Sequence, residues 1–230
     1  MPPSFSADYL VIQNYKQPIS NFTSELGWRV WDYNPLNIRP RDCPGPASMY
    51  DALFEKYNVD PSHVLPGNNP NNTGVGGNRV FFSSPTLSVP AAGVVYSSDP
   101  AIIFVNGDMV VNGNIVVNAN TGIIFVVNGS VTVQHGVQQA DGVYIIDGDY
   151  TVRSKGNNIS PINPENQLVV NGAVIGGFND GDGEFGLGRD FRSIDNRTIP
   201  TEIFNFEPKY LWLFRDIVGD KKTLWKEVAP

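Results

Sequence analysis

Between residues 101 and 176, apolar residues come in short runs, each broken by Asn-Gly or Asp-Gly: "IIFVNGDMVV", "IIFVVNGSVTV", "VYIIDGDYTV" and "QLVVNGAVIG". Runs rich in Val, Ile, Phe and Tyr and bounded by turn formers predict strands. The glycines stand at Gly107, Gly129, Gly148 and Gly172, so the unit returns after 22, 19 and 24 residues. A shorter period is nested inside the first unit: in "VNGDMVVNGNIVVNAN", Val-Asn recurs at 105–106, 111–112 and 117–118. A short strand plus a corner takes about six residues, and three such units close a triangular coil of about 18, with any excess forming corner loops. The spacing therefore predicts an all-β fold, a single β-solenoid (parallel β-helix) with triangular coils of about 18–24 residues. Val105, Val111 and Val117 are then inward residues on three sides of one turn. Asn and Gly take the corners, where φ > 0 is tolerated and Asn amides bond along the axis. Phe104, Phe125, Tyr144 and Leu168 are expected to form one stacked column. The competing reading is a set of β-hairpins, for which Asn-Gly is the strongest short signal; recurrence in the same phase near every 20 residues favours the coil.

The flanks differ from this body in pattern. Residues 1–78 read as an irregular, aromatic-rich N-terminal region, 79–176 as the solenoid body, and 177–230 as an acidic loop followed by a capping segment. In "PASMYDALFEKYN" a helix is expected, with Ser48 as N-cap and Met49, Leu53, Phe54 and Tyr57 on one face. "PGNNPNNTGVGGN", 66–78, reads as a loop or linker. "TEIFNFEPKYLWLF" is dense enough in apolar residues to cover an open solenoid end, which otherwise exposes unpaired strand edges.

Composition narrows the partners. The chain has 16 basic and 23 acidic residues, and none of the basic ones lies between Arg79 and Arg153. Nucleic acid and anionic lipid both require clustered cations, so neither is an expected partner. Cys43 is the only cysteine, which excludes an internal disulfide framework and a cysteine metal site. The 24 Asn and 23 Gly suit a turn-rich β protein. No run of 18 apolar residues is present, so no direct membrane insertion is expected of this chain, and the opening "MPPSFSADYLVIQNYKQ" lacks the order of a signal peptide. An exported protein would therefore need an export segment upstream.

Four groups of residues are candidates for chemistry. In "NDGDGEFGLGRD", Asp180, Asp182 and Glu184 alternate in a glycine-rich loop, the oxygen ligands and spacing that Ca²⁺ takes. Phe185 and Phe191 stand where the EF-hand pattern needs Gly and Glu, and a solvated acidic loop is the simpler reading. No other cofactor is expected. Trp28, Trp31 and Tyr33, in "GWRVWDYNP", offer an aromatic platform for a glycan or a partner chain, or else the core of the N-terminal region. The body carboxylates Asp108, Asp141, Asp147 and Asp149 would be needed for glycan cleavage, which takes a positioned carboxylate pair. Asp147 reads more simply as a corner residue equivalent to Asn106, Asn128 and Asn171. His63 and His135 lie too far apart in sequence to suggest a shared site.

Taken together, the body, "RDF" at 189–191, "IPTEIFNFEPKYL" at 199–211, the terminal "LWKEVAP" and the helix "MYDALFEKYN" carry a resemblance. The chain resembles the C-terminal β-solenoid regions of uncharacterised surface and pilin-associated proteins, found in bacteria of the candidate phyla radiation and in some Gram-positive bacteria. Members usually carry an N-terminal hydrophobic anchor or pilin-like helix, which residues 1–230 do not contain. The resemblance implies an extracellular or envelope-associated protein with a structural or adhesive role and no enzymatic activity. Its partners would be other envelope or appendage proteins, further copies of itself, or glycans. The body is more distantly similar to bactofilins, cytoplasmic filament-forming solenoids, although the aromatic-rich flanks fit that family poorly.

Overall fold

The computed structural model describes residues 48–74, 79–155, 165–176, 185–189, 191 and 200–214. In chain order the strands are β1 (Val80–Ser83), β2 (Leu87–Val89), β3 (Val94–Tyr96), β4 (Ala101–Val105), β5 (Met109–Val111), β6 (Ile115–Val117), β7 (Ile123–Val127), β8 (Val131–Val133), β9 (Gly142–Ile146), β10 (Tyr150–Val152), β11 (Leu168–Gly176), β12 (Phe185–Leu187) and β13 (Glu202–Asn205). Helix α1 (Met49–Lys56) precedes them and α2 (Lys209–Leu213) follows. The fold is all-β and parallel: every strand pairing among the described residues is parallel.

The strands assemble into a first sheet of order β1-β4-β7-β9-β11-β13, a second of order β12-β10-β8-β5-β2, and a third pair, β3-β6. Successive strands visit the first, second and third sheet in turn, as β1, β2, β3 and again as β4, β5, β6. Val105, Val111 and Val117 end β4, β5 and β6, and all three join one buried core. After β8 the third position is held by isolated bridges, Ile115 to Ala140 and Gln139 to Val169.

The corner after the first sheet is a column. Val105, Val127 and Ile146 are register partners, so the residues that follow them, Asn106, Asn128 and Asp147, stand in line. Asn128 Nδ2 donates to Asn106 Oδ1 at 3.0 Å. Gly129 N–H donates to Gly107 O at 3.0 Å, and Gly148 N–H to Gly129 O at 3.1 Å. Only glycine fits here: a Cβ on Gly129 would stand 2.9 Å from the Gly107 carbonyl carbon.

Two expectations about register are corrected. Asn171-Gly172 does not belong to that column, because Gly172 lies inside β11 and pairs with Gly142. The first half of β11 pairs with β13 and the second half with β9. At the crossing Gly172 has φ 154°, and a Cβ on it would fall 1.9 Å from Gly142 O. The expected aromatic column is also displaced. Phe125 stacks on Tyr144 with ring centroids 5.3 Å apart, but Phe104 pairs with Val126 and faces the opposite side of the sheet. Leu168 lies beside Glu202.

The flanking segments pack against this body. Ser48 caps α1, its Oγ accepting from Asp51 N–H at 3.0 Å. Tyr50 is the helix's buried residue, with Leu53, Phe54 and Tyr57 packed beside it, whereas Met49 was expected on that face. They meet Phe82, Phe104 and Val126 on the outer face of the first sheet. The described part of the segment expected to be a loop or linker, residues 66–74, forms two short 3-10 turns, and it and the residue before it close the core. Leu65 is buried among Phe81, Leu87 and Tyr96, and Thr73 Oγ1 shares a 2.7 Å hydrogen bond with Tyr96 OH. The expected end cap divides in two. Strand β13 does lie beside β11 at the end of its sheet, but α2 turns back along the outer face, where Tyr210, Leu213 and Phe214 surround Gly122. Arg79 Nη2 fastens α2 by donating to Leu213 O at 2.9 Å.

Candidate functional site

Neither candidate binding group can be placed: Asp180, Asp182 and Glu184 lie outside the described residues, as do Trp28, Trp31 and Tyr33. Cys43 also lies outside them. His63 and His135 are both exposed, and His63 has Asp60 at 4.0 Å. Among the described residues, no three His, Cys, Asp or Glu side chains stand together as a metal site.

The body carboxylates are placed, and three of the four, Asp108, Asp141 and Asp147, accept from backbone or amide donors. Asp108 Oδ1 accepts from Ser130 N–H at 2.9 Å, bridging two successive strands' corners. Asp141 is buried; it accepts from Val117 N–H at 3.0 Å, Gln139 Nε2 at 2.8 Å and Asn171 Nδ2 at 2.8 Å. Asn205 continues that row by donating to Asn171 Oδ1 at 3.0 Å. Asp147 is 1% exposed, so it does not share an open face with the partly exposed Asp149. Asp108, Asp141 and Asp147 thus bond to the chain itself.

Asp147 has a specific task. Its two oxygens accept from Met49 N–H at 3.0 Å and Tyr50 N–H at 3.1 Å, so a corner of the body caps a helix almost a hundred residues earlier in the chain. The first N–H groups of a helix have no internal partner and carry the positive end of its dipole, which suits a carboxylate. Burial nevertheless pushes the Asp147 pKa up, against the pull of Ser48 and the two N–H groups, with Asp51 adding to the rise. Nearby, the Tyr50 phenol is pushed up to about 12 by burial, with Asp51 and Asp147 contributing.

A second buried polar group stands where the core ends. Arg189 is 5% exposed; Nη1 donates to Asn166 O at 2.8 Å, Nη2 to Gln134 O at 3.1 Å, and its own N–H to Glu202 Oε1 at 3.0 Å. Glu165, also buried, accepts from Ser154 Oγ at 3.0 Å and Lys155 N–H at 2.9 Å. Burial lowers the Arg189 pKa while Glu165 and Glu202 hold it up. Burial raises that of Tyr150, opposed by Arg189. The arrangement is a buried hydrogen-bonded cluster in which Arg189 ties the segments around residues 134, 166 and 202 together, with Glu165 holding the turn at 154–155 beside it. A charge this deep requires such partners, because removing it from water costs several kcal/mol. Sequence reasoning missed this cluster: its members are scattered along the chain and none forms a motif.

The outward residues of β2, β5, β8 and β10 are Ser88, Val110, Thr132 and Thr151, a line of small side chains along the second sheet. Larger apolar groups are exposed on α2, where Leu211 is 66% and Trp212 71% exposed. No helix among the described residues is long and apolar enough to cross a membrane. No protein family, curated protein or solved structure matches the chain.

Proposed function

We propose that the chain is a β-solenoid used as a non-enzymatic structural or adhesive scaffold of the cell envelope or of a surface appendage. The observation that carries this reading is the second sheet's outer face. It presents Ser88, Val110, Thr132 and Thr151 in line, while Asp108 and Asp141 accept hydrogen bonds within the body and Asp147 accepts two from α1. Glycan cleavage by a carboxylate pair needs two side chains free to reach one bond from opposite sides, and the four residues in line on these strands are not carboxylates. The regular rotation of the chain through three parallel sheets is the supporting ground for the solenoid itself. Leu65 and Thr73 cover the start of the core, which weighs against a bactofilin-like filament built by open stacking of ends.

The test is an assay of the purified chain against pectic, cellulosic and bacterial cell-wall polysaccharides, reading new reducing ends and unsaturated uronates. The scaffold reading predicts no turnover; turnover that is lost in Asp108→Asn or Asp149→Asn would overturn it. Antibody labelling of intact and permeabilised source cells tests location. The same reading predicts labelling without permeabilisation, and signal confined to permeabilised cells would contradict it.

A further inference from the structure

Four Asn-Gly pairs occur in the sequence, at 106–107, 112–113, 128–129 and 171–172. In this dipeptide the backbone nitrogen of the glycine can attack the preceding side-chain amide with no Cβ in the way, which makes such asparagines chemically labile. In an unfolded chain the four are close to equivalent. Any difference between them is imposed by the fold.

The reaction needs a side-chain amide free to swing over the next nitrogen, and an N–H that is not committed elsewhere. At Asn171 the side chain donates to Asp141 and accepts from Asn205, and Gly172 is held within β11. At Asn128, Nδ2 donates to Asn106 Oδ1, and Gly129 N–H donates to Gly107 O. At Asn112, Nδ2 is shared between Ser88 Oγ at 3.1 Å and Val89 O at 3.0 Å, and Gly113 is buried, although its N–H makes no backbone bond among the described residues. Asn106 is different. It is exposed, its Oδ1 accepts from Asn128, and its Nδ2 donates to nothing among the described residues. The Gly107 N–H likewise makes no backbone bond there. In the column, Pro85 stands below Gly107 in place of another glycine, with its carbonyl oxygen close against the Gly107 α-carbon.

We infer that Asn106 is a self-modification site of this protein. The Gly107 nitrogen attacks Asn106 Cγ, a new C–N bond closes a succinimide ring, and the Cγ–Nδ2 bond breaks as ammonia leaves with the proton from Gly107. Water then opens the ring to aspartate or isoaspartate. The aspartate product places a carboxylate at the head of a column that already ends in Asp147, and keeps an acceptor for Asn128 Nδ2. The isoaspartate product lengthens the backbone by one carbon at the corner between the first two sheets and weakens the Gly107–Gly129 contact.

The experiment is a time course of the full chain at mildly alkaline pH, native and in urea, with peptide mapping by mass spectrometry to read conversion at each asparagine. In urea all four sites convert at similar rates. In the native chain Asn106 converts first, Asn112 follows, and Asn128 and Asn171 are slower than Asn106 by about tenfold or more, because they must wait for local opening. The inference is overturned if any of the other three outpaces Asn106 in the native chain, or if Asn106 is as protected there as Asn171.

Discussion

The first and second sheets share the same circuits of the chain, yet they are built from different strands. In the first, β4 and β7 are five residues long and buried throughout, "AIIFV" and "IIFVV". In the second, β5, β8 and β10 are three residues long and bury only their first and last. A parallel strand that is apolar at every position needs cover on both faces. The core covers the inner face of the first sheet; α1 and α2 cover the outer, through Tyr50, Phe54, Tyr210 and Phe214 against Phe104, Ile124 and Val126. Water covers the outer face of the second. The difference teaches that a continuous apolar run in such a repeat marks the side on which another part of the chain will dock, and an alternating run marks a free side.

This contrast breaks most severely at Phe104. Removing its fully buried ring deletes the centre of the α1 contact, so Phe104→Ala should cost about 3–5 kcal/mol in urea unfolding and loosen α1 before the inner core opens. Smaller is the loss expected at Asp147. Asp147→Ala leaves two helix N–H groups without an acceptor, a cost of about 1–3 kcal/mol, with α1 losing hydrogen-exchange protection and the second sheet keeping it. The pH dependence has a definite sign. Because burial raises the Asp147 pKa, the folded chain holds that proton more tightly than the unfolded chain does. Its contribution is therefore greatest below the ordinary carboxylate range and falls as pH rises through the raised value. The gap in urea midpoint between the native chain and Asp147→Ala should narrow over that interval. At the small end, Thr132→Ala on the free side of the second sheet should change stability by no more than about 0.5 kcal/mol.

Much of this was legible in the chain, and what was not has physical causes. The Gly107, Gly129 and Gly148 column followed from the repeat, because each glycine there closes a strand of the same sheet. Gly172 carries the same local "VVNG", but pairing with Gly142 puts it inside a strand, and a long-range register leaves no mark on a dipeptide. The facing of Phe104 is legible by counting back from the corner. One residue separates Phe104 from Asn106 and two separate Phe125 from Asn128, so with a period of two they face opposite sides. The binary pattern located α1 and its cap, but not its dock on Asp147, which depends on a contact across most of the body. The acidic loop and the tryptophan pair were found by composition alone, and composition does not position side chains.

The central claim is that successive circuits stack in parallel, so that residues about 20 apart are neighbours. Thr132 and Thr151 are register partners on β8 and β10, and adjacent strands about 4.8 Å apart lie within reach of a disulfide. In a Cys43→Ser background, the pair Thr132→Cys and Thr151→Cys should close an intramolecular disulfide on mild oxidation of the folded chain. The pair Val110→Cys and Thr151→Cys, two strands apart, should not. Closure of the first pair alone is the predicted result. Failure of the first pair in a folded chain, as expected if β9 lay between β8 and β10 in a run of hairpins, would contradict the account.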